Sequence, residues 1–385
     1  MASSIYLDYN ATTPVDERVV QRMLPFFTQY YGNPANTVHP FGWAASEAVE
    51  AARESVARCI RAKASEVIFT SGATEAINAA LKGVARAYRR KGLHIVTVDT
   101  EHSAVRTTCR SLEKDGYEVT FLPVDQQGAV DLEELERALR ADTVLVSMMW
   151  ANNETGVLHP IRDIARTVRA RGILFMTDAT QAIGKVPVTV DGIDIMVCSG
   201  HKVYGPKGVG ALYLRERNPR VRVAPLLEGG GQERGLRGGT LNVPGIVGMG
   251  AAFDIARVEQ PRDAERLSRL RDNLETTLER RLPDICVNGS EVPRLPQTSS
   301  ITFGGVNAST LLAALRNVAL SAGSACAAGS SKPSHVLRAM GLAREDAAAT
   351  LRISLGRPTT QDEVGFATRE IILAVQSLRE EPTYA

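Results

Sequence analysis

The chain has 385 residues, 44% of them hydrophobic and 23% charged, and 45 basic against 43 acidic side chains leave a net charge of +2. At about 150 residues per domain this length predicts two or three domains, and the balanced charge excludes the basic excess that marks nucleic-acid and membrane-surface binders. The opening MASSIYLDYN has no basic stretch followed by an apolar core, and no later segment approaches the roughly 18 apolar residues of a membrane span, so a cytoplasmic protein is expected.

From about residue 60 to 215, short β-rich apolar runs alternate with helical patterns: EVIFT, HIVTV, YEVTFL, TVLVSM, GILFMTDA, IDIMVCS and GALYL. The intervening EAINAALKGVARAYRRKG and DLEELERALRAD are apolar at helical spacing. This alternation predicts an α/β domain with a mostly parallel seven-stranded sheet, helices on its faces and ligands at the carboxyl ends of its strands. Past a Gly-rich stretch near 229–240, a long helical pattern covers about 244–281. SSITFGG, a short helix around ASTLLAALR, the VALSAG strand, LRISL and a final helix then read as a smaller α+β domain. The spacing of Thr360 and Glu363 is that of a capping box, and the tail after Arg379 is expected to fray. The five cysteines form no C-x-x-C pair, which argues against a disulfide framework or zinc site and for reduced, individually available thiols.

Several strand ends carry polar groups. VIFTSGATEAIN is a strand, a glycine turn and a hydroxyl-rich helix start, where free N–H groups and Thr74 make either a phosphate cup or an ordinary cap. TEHSAV brings His102 to a strand end, to stack on a planar group and exchange protons or simply to begin a helix. In ANNETG, Asn152 is placed to hydrogen-bond a hydroxyl or carboxylate, or to shape a turn. In GILFMTDATQAIGK, Asp178 lies just past a buried strand, where a carboxylate pairs with a protonated ring nitrogen, caps a helix or joins a salt bridge, and Gln181 reaches the same region. SGHKVYGPKG puts Lys202 directly after a strand with Ser199 and His201 beside it; a partly desolvated amine there forms a Schiff base, and Lys207 is its nearest rival. A phosphate cup, a ring-nitrogen carboxylate, a stacking imidazole, a hydroxyl donor and an amine at one rim are the parts of a pyridoxal phosphate site.

With these motifs in order, together with YLDYNATTPVD, GNPANTVHPFG, GGGQERGLRGGTLN, SAGSACAAG and LRISLGRPTT, the sequence resembles the pyridoxal-phosphate-dependent cysteine desulfurases of the class V aminotransferase group over nearly its whole length. The resemblance implies the type I fold of pyridoxal-phosphate transferases, with a large domain at 14–258 and a small one formed by 1–13 and 259–385. It implies that Lys202 tethers the cofactor, Asp178 pairs with its ring nitrogen, His102 stacks on the ring, Asn152 and Gln181 bind the phenolic side, and Ala73, Thr74, Ser199 and His201 hold the phosphate. Thr240 would reach the phosphate of a neighbouring subunit, which implies a homodimer; Arg352 would clamp the carboxylate of L-cysteine, and Asn10 would line the substrate side. Two positions depart from the pattern: Gly238 stands where the family usually has serine or alanine, and Asn36 where a serine is common.

Cys326 sits among Ala, Gly and Ser, with no large apolar side chain from Ala322 to Pro333. Such a segment cannot pack itself down, and it is expected to be mobile enough to carry a thiol into a site and out again. Within the resemblance, Cys326 takes sulfur from L-cysteine as a persulfide, releases L-alanine and delivers the sulfur to acceptor proteins such as an iron–sulfur scaffold. An aminotransferase or a selenocysteine lyase on the same fold, or a catalytically silent scaffold for iron–sulfur assembly, are the alternatives.

Overall fold

The computed structural model describes residues 4–323 and 333–380. In chain order the strands are β1 (Ile5–Tyr6), β2 (Val67–Thr70), β3 (His94–Val98), β4 (Glu118–Leu122), β5 (Thr143–Ser147), β6 (Leu174–Asp178), β7 (Ile195–Ser199), β8 (Gly210–Leu214), β9 (Ile285–Val287), β10 (Thr298–Phe303), β11 (Val318–Ala319) and β12 (Thr350–Ser354). Each of the seven runs read as a strand of the large sheet is one. The sheet has the order β2-β8-β7-β6-β5-β3-β4, parallel throughout except for β8, which runs against both its neighbours.

Six of these strands are fully buried along their length, which is why they read as continuous apolar runs. Successive side chains still alternate between two cores. Val67, Phe69, Phe175, Met196 and Tyr213 point into one, while Ile68, Leu174, Met176, Ile195 and Leu212 point into the other. The first core is closed by the helix Pro40–Ile60 and the second by the helices Ala73–Tyr88 and Ser103–Lys114. The DLEELERALRAD helix is shorter than its pattern, spanning Leu132–Ala138, with Asp131 capping the Glu133 N–H at 2.8 Å.

A helix of 39 residues, Val243–Arg281, runs through Pro261. Ile246, Met249 and Phe253 of its first half join the core of the large sheet, and Leu267, Leu274 and Leu278 of its second half join a third core. That core also holds Leu7, the antiparallel sheet β12-β10-β9 and the helix Gln361–Glu380. The capping box before the last helix is present: Thr360 N–H donates to Glu363 Oε2 at 2.8 Å and Glu363 N–H to Thr360 Oγ1 at 3.2 Å. The VALSAG strand is short, only Val318–Ala319 pairing with β1. The tail expected to fray, beyond Glu380, and Cys326 lie outside the described residues.

The Gly-rich stretch is held by a buried ion pair. Glu233 takes two hydrogen bonds from Arg53 at 2.7 and 2.8 Å and a third from the Phe69 N–H at 2.7 Å, with the guanidinium 4.8 Å from the Phe69 ring centre. Gly238 explains one departure from the family pattern: a Cβ there would lie 2.8 Å from the Gly229 backbone, so two glycine strands of this stretch touch where a side chain is excluded. Removing one partner of a buried pair strands the other charge and costs about 3–5 kcal/mol. Glu233→Ala is therefore expected to lower the thermal midpoint sharply, and the double replacement Arg53→Met with Glu233→Leu to cost less than the single one, as measured by calorimetry.

Candidate active site

Because β2 runs parallel to β7 through the reversed β8, the carboxyl ends of β2, β3, β5, β6 and β7 share one rim with the amino end of β8. A cavity of about 530 Å³ opens there. Its wall includes Ala73, Thr74, His102, Asp178, Gln181, Ser199, His201 and Lys202, together with Asn10 and Arg352 from the other side. Ten of the residues singled out in the sequence thus meet in one space.

At one end stands the helix Ala73–Tyr88. No side chain caps it, and its first intrahelical bond in the turn is Ala76 N–H to Gly72 O, which leaves the N–H groups of Ala73, Thr74 and Glu75 at the dipole's positive end. The turn is pressed close to the sheet: a Cβ on Gly210 would fall 2.7 Å from Gly72 Cα. Glu75, the one acid of that first turn, is neutralised by Arg237 at 2.8 Å. His201 faces the same region, its Nδ1 3.1 Å from Thr12 Oγ1. Burial, then the charges of Lys202, Lys207 and Lys185, hold its pKa down to about 4, so it is a neutral imidazole at pH 7.

Lys202 lies in a short turn after β7, and its Nζ donates to the carbonyls of Asn10 and, at 2.7 Å, Ala11. Its rival Lys207 lines the cavity too but is exposed. Asp178 is buried at the end of β6, with Oδ1 accepting the Thr180 N–H at 2.9 Å. His102 caps the helix Ser103–Lys114 by accepting the Ala104 N–H on Nδ1 at 3.1 Å, so the helix-starting role and a place on the cavity wall coexist. Burial lowers its pKa while Asp178 opposes, and Lys202 and His335 add to the lowering. The Gln181 amide has a defined orientation: Nε2 donates to Asn10 O at 2.9 Å and Oε1 accepts from Lys185 Nζ at 3.1 Å.

Arg352, from β12, is 2% exposed. It donates to Asp8 Oδ1 at 2.7 Å and to Asn153 O at 3.0 Å, and its buried Nε–H has no partner among the described residues. Asn10 is fixed by Thr298 Oγ1 at 2.9 Å and by Gln297 at 3.2 Å. Asn152 shapes a turn: its Oδ1 accepts the N–H groups of Glu154 and Thr155 at 2.8 and 3.0 Å, and its Nδ2 donates to Thr100 O at 3.0 Å. The adjacent wall of the cavity is formed by Met149, Ala151 and Asn153 instead. Thr240 is exposed and is not part of this wall.

Residues 5–366 match the family described as aminotransferase class-V. The chain belongs to the class-V aminotransferase family. It is 51% identical over 382 residues to a cysteine desulfurase IscS of Anaeromyxobacter sp. (strain Fw109-5), covering 99% of this chain and 94% of that one. With the cysteine desulfurase of Homo sapiens it shares 49% identity over 378 residues, 98% of this chain and 82% of that one. A solved NifS-like protein superposes with a TM-score of 0.90 at 40% identity, over 97% of this chain and all of that one. The structure titled SspA in complex with cysteine does so with a TM-score of 0.81 at 39% identity, over 91% and 99% of the two chains.

A class-V aminotransferase enzyme works with pyridoxal phosphate, and the donor set here fits that group. Unsatisfied N–H groups at a helix N-terminus suit a phosphate dianion, an amine suits an aldehyde, and a buried carboxylate suits a ring nitrogen. Among the described cysteines no thiol has thiolate character: burial pushes Cys59 and Cys109 up to about 12 and raises Cys198 and Cys286 as well. Two of them, Cys109 and Cys198, are buried and so not individually available.

Two site residues went unread in the sequence, Lys185 and Glu101, since each looks like an ordinary polar neighbour of a motif residue. Glu101 is fully buried beside His102; Oε1 accepts the Met149 N–H at 2.6 Å, while Oε2 has no partner among the described residues. Burial first, then the Asp178 charge, raises its pKa well above the usual carboxylate range. An acid whose folded pKa is raised destabilises the fold progressively as pH climbs from its unfolded value toward the folded one. Glu101→Gln removes that penalty. The thermal midpoint of the variant relative to the parent is expected to rise between pH 5 and pH 8, which unfolding scans across that range measure.

Proposed function

We propose that this chain is a cysteine desulfurase that converts L-cysteine to L-alanine and transfers the sulfur to Cys326 as a persulfide. The observation that carries this reading is the cavity in which a phosphate-type cradle and the Lys202 amine face Arg352, whose Nε–H has no partner among the described residues. Such a site takes an amino acid by both of its charged groups. The Ala73 and Thr74 N–H groups, Ser199 and neutral His201 would hold the phosphate, Asp178 would hold the proton on the ring nitrogen, and Gln181 would serve the phenolic side, where Asn152 acts only by shaping the adjacent turn. Pyridoxal phosphate would supply, when bound, the sink for the electron pair that the departing α-proton leaves on carbon.

The chain's own residues do the rest. Arg352, steadied by Asp8, orients the substrate carboxylate by paired hydrogen bonds. The Lys202 amine takes the α-proton and later returns one to carbon. His102, kept mostly neutral, exchanges the proton of the substrate thiol. The Cys326 thiolate then attacks the substrate sulfur: an S–S bond forms, the C–S bond breaks, and the carbon skeleton leaves as alanine.

The active unit in this reading is a homodimer in the cytoplasm, whose persulfide goes to acceptor proteins such as an iron–sulfur scaffold. Support for the dimer lies in a cluster of exposed apolar side chains within one stretch of sequence, Leu24, Phe27, Tyr31, Val38, Phe41 and Trp43, more than a lone surface usually carries. Thr240, exposed and not part of its own cavity's wall, would serve the partner's phosphate. No helix among the described residues is long and apolar enough to cross a membrane.

Cys326→Ala is expected to keep the cofactor's visible absorbance while alanine production from cysteine disappears, and Lys202→Ala to lose both the normal absorbance and turnover. Spectra and an alanine assay decide it. A Cys326 variant that makes alanine at the parental rate sinks the persulfide step, and an aminotransferase would behave in that way.

A further inference from the structure

Behind Lys202, away from the main cavity, lies a narrow second cavity of about 20 Å³ whose wall contains Lys202 and Lys185 together. Lys185 is half-buried in the chain that follows β6, four residues after Gln181. Its amine donates to Gln181 Oε1 at 3.1 Å, the Gln181 Nε2 donates to Asn10 O at 2.9 Å, and Asn10 O also accepts from Lys202 Nζ. Two amines therefore hang on one relay, joined by an amide whose NH₂ edge faces Asn10 O, since a carbonyl cannot donate a hydrogen bond, and whose oxygen accepts from the Lys185 amine, which as an ammonium can only donate.

We propose that Lys185 is a positioning residue of this active site, holding the Gln181 amide with its NH₂ edge toward Asn10 and thereby setting the seat of Lys202 and the pH at which Lys202 gives up its proton. The proposal rests on the reading of the cavity as a pyridoxal phosphate site. The other charged and titratable groups of the chamber do not compete for the amine. Asp263 is paired with Arg357 at 2.9 Å, and Arg357 also reaches Asp16 at 3.1 Å. Tyr9 and Tyr204 are both pushed upward by burial and stay neutral. His201, across Lys202, is neutral as well. Burial, followed by the like charge of Lys202, brings the Lys185 amine itself down to about 7, so its charge changes in the range where the enzyme would work.

The test uses the full-length protein reconstituted with pyridoxal phosphate. In Lys185→Met, the pH midpoint of the cofactor's visible band is expected to rise by about one unit, because a neighbouring positive charge is gone. The kcat should fall about tenfold with KM little changed, and Lys185→Arg, which keeps charge and donor, should restore most of it. In a Gln181→Ala background the kcat loss from Lys185→Met should shrink to less than about twofold, as required of a residue acting through that amide. Burying an unneeded amine costs stability, so the Met variant should fold at least as well as the parent. A band midpoint and kcat both unmoved in Lys185→Met overturn the proposal, as does an equal kcat loss with or without Gln181. A parent protein that never develops the band overturns the reading of the cavity itself, and the proposal with it.

Discussion

The site depends on one short segment, Asn10–Thr13, laid across the rim of the sheet. The carbonyls of Asn10 and Ala11 take the Lys202 amine, Thr12 Oγ1 meets His201 Nδ1, and Thr13 donates to His201 O through both N–H and Oγ1 at 3.0 Å. On its other side Asn10 receives support from the small antiparallel sheet: its N–H donates to Ser354 Oγ at 2.9 Å and its amide to Thr298. The amine of the large sheet and the arginine of the small one are thus referenced to the same backbone. A buried amine needs acceptors that water no longer supplies, and these two carbonyls supply them without adding a negative charge that would hold the proton in place.

That arrangement explains why polar groups concentrate at one end of an apolar sheet. Most of the strands are buried on both faces, so their ends are where polar side chains can meet a ligand, and the reversed β8 adds the Lys207–Gly208 edge to the same rim. Electrostatics then sorts the groups. Burial first, then the charges of Lys202, Lys207 and Lys185, suppress the protonation of His201, leaving donors where an anion belongs. Two buried acids, Glu101 and Asp178, repel one another, and the first yields. Asp178 Oδ1, for its part, accepts the Thr180 N–H at 2.9 Å.

Much of this was legible from the chain alone because the signals are local. Six of the seven sheet strands showed as apolar runs since burial on two faces removes any need for polar alternation, β4 being only partly buried, and the Thr360–Glu363 box is complete within four residues. Asn152 illustrates the limit: the same Asx-type chemistry serves a turn or a ligand, and its oxygen is spent on the N–H groups of Glu154 and Thr155. Lys185 was invisible for a different reason. Its meaning depends on Asn10 O, 175 residues away in sequence by the numbering of the two residues, and no period or motif within one segment encodes a partner across that distance.

The Gly-rich stretch carries the same lesson into energetics. Its glycine content alone prescribes no backbone, yet Glu233 and Arg234 stand at positive φ, 47° and 59°, where non-glycine residues rarely settle. What compels them is the Arg53–Glu233 pair together with the Phe69 N–H, three charge-assisted bonds in a buried setting, plus the Arg234 guanidinium on Val67 O at 2.9 Å. Those contacts land on β2, the strand whose carboxyl end turns into the Ala73–Tyr88 helix. Any force on the outer stretch is therefore transmitted to the phosphate-type cradle within a few residues, and a glycine-rich surface is coupled to the site through a rigid strand.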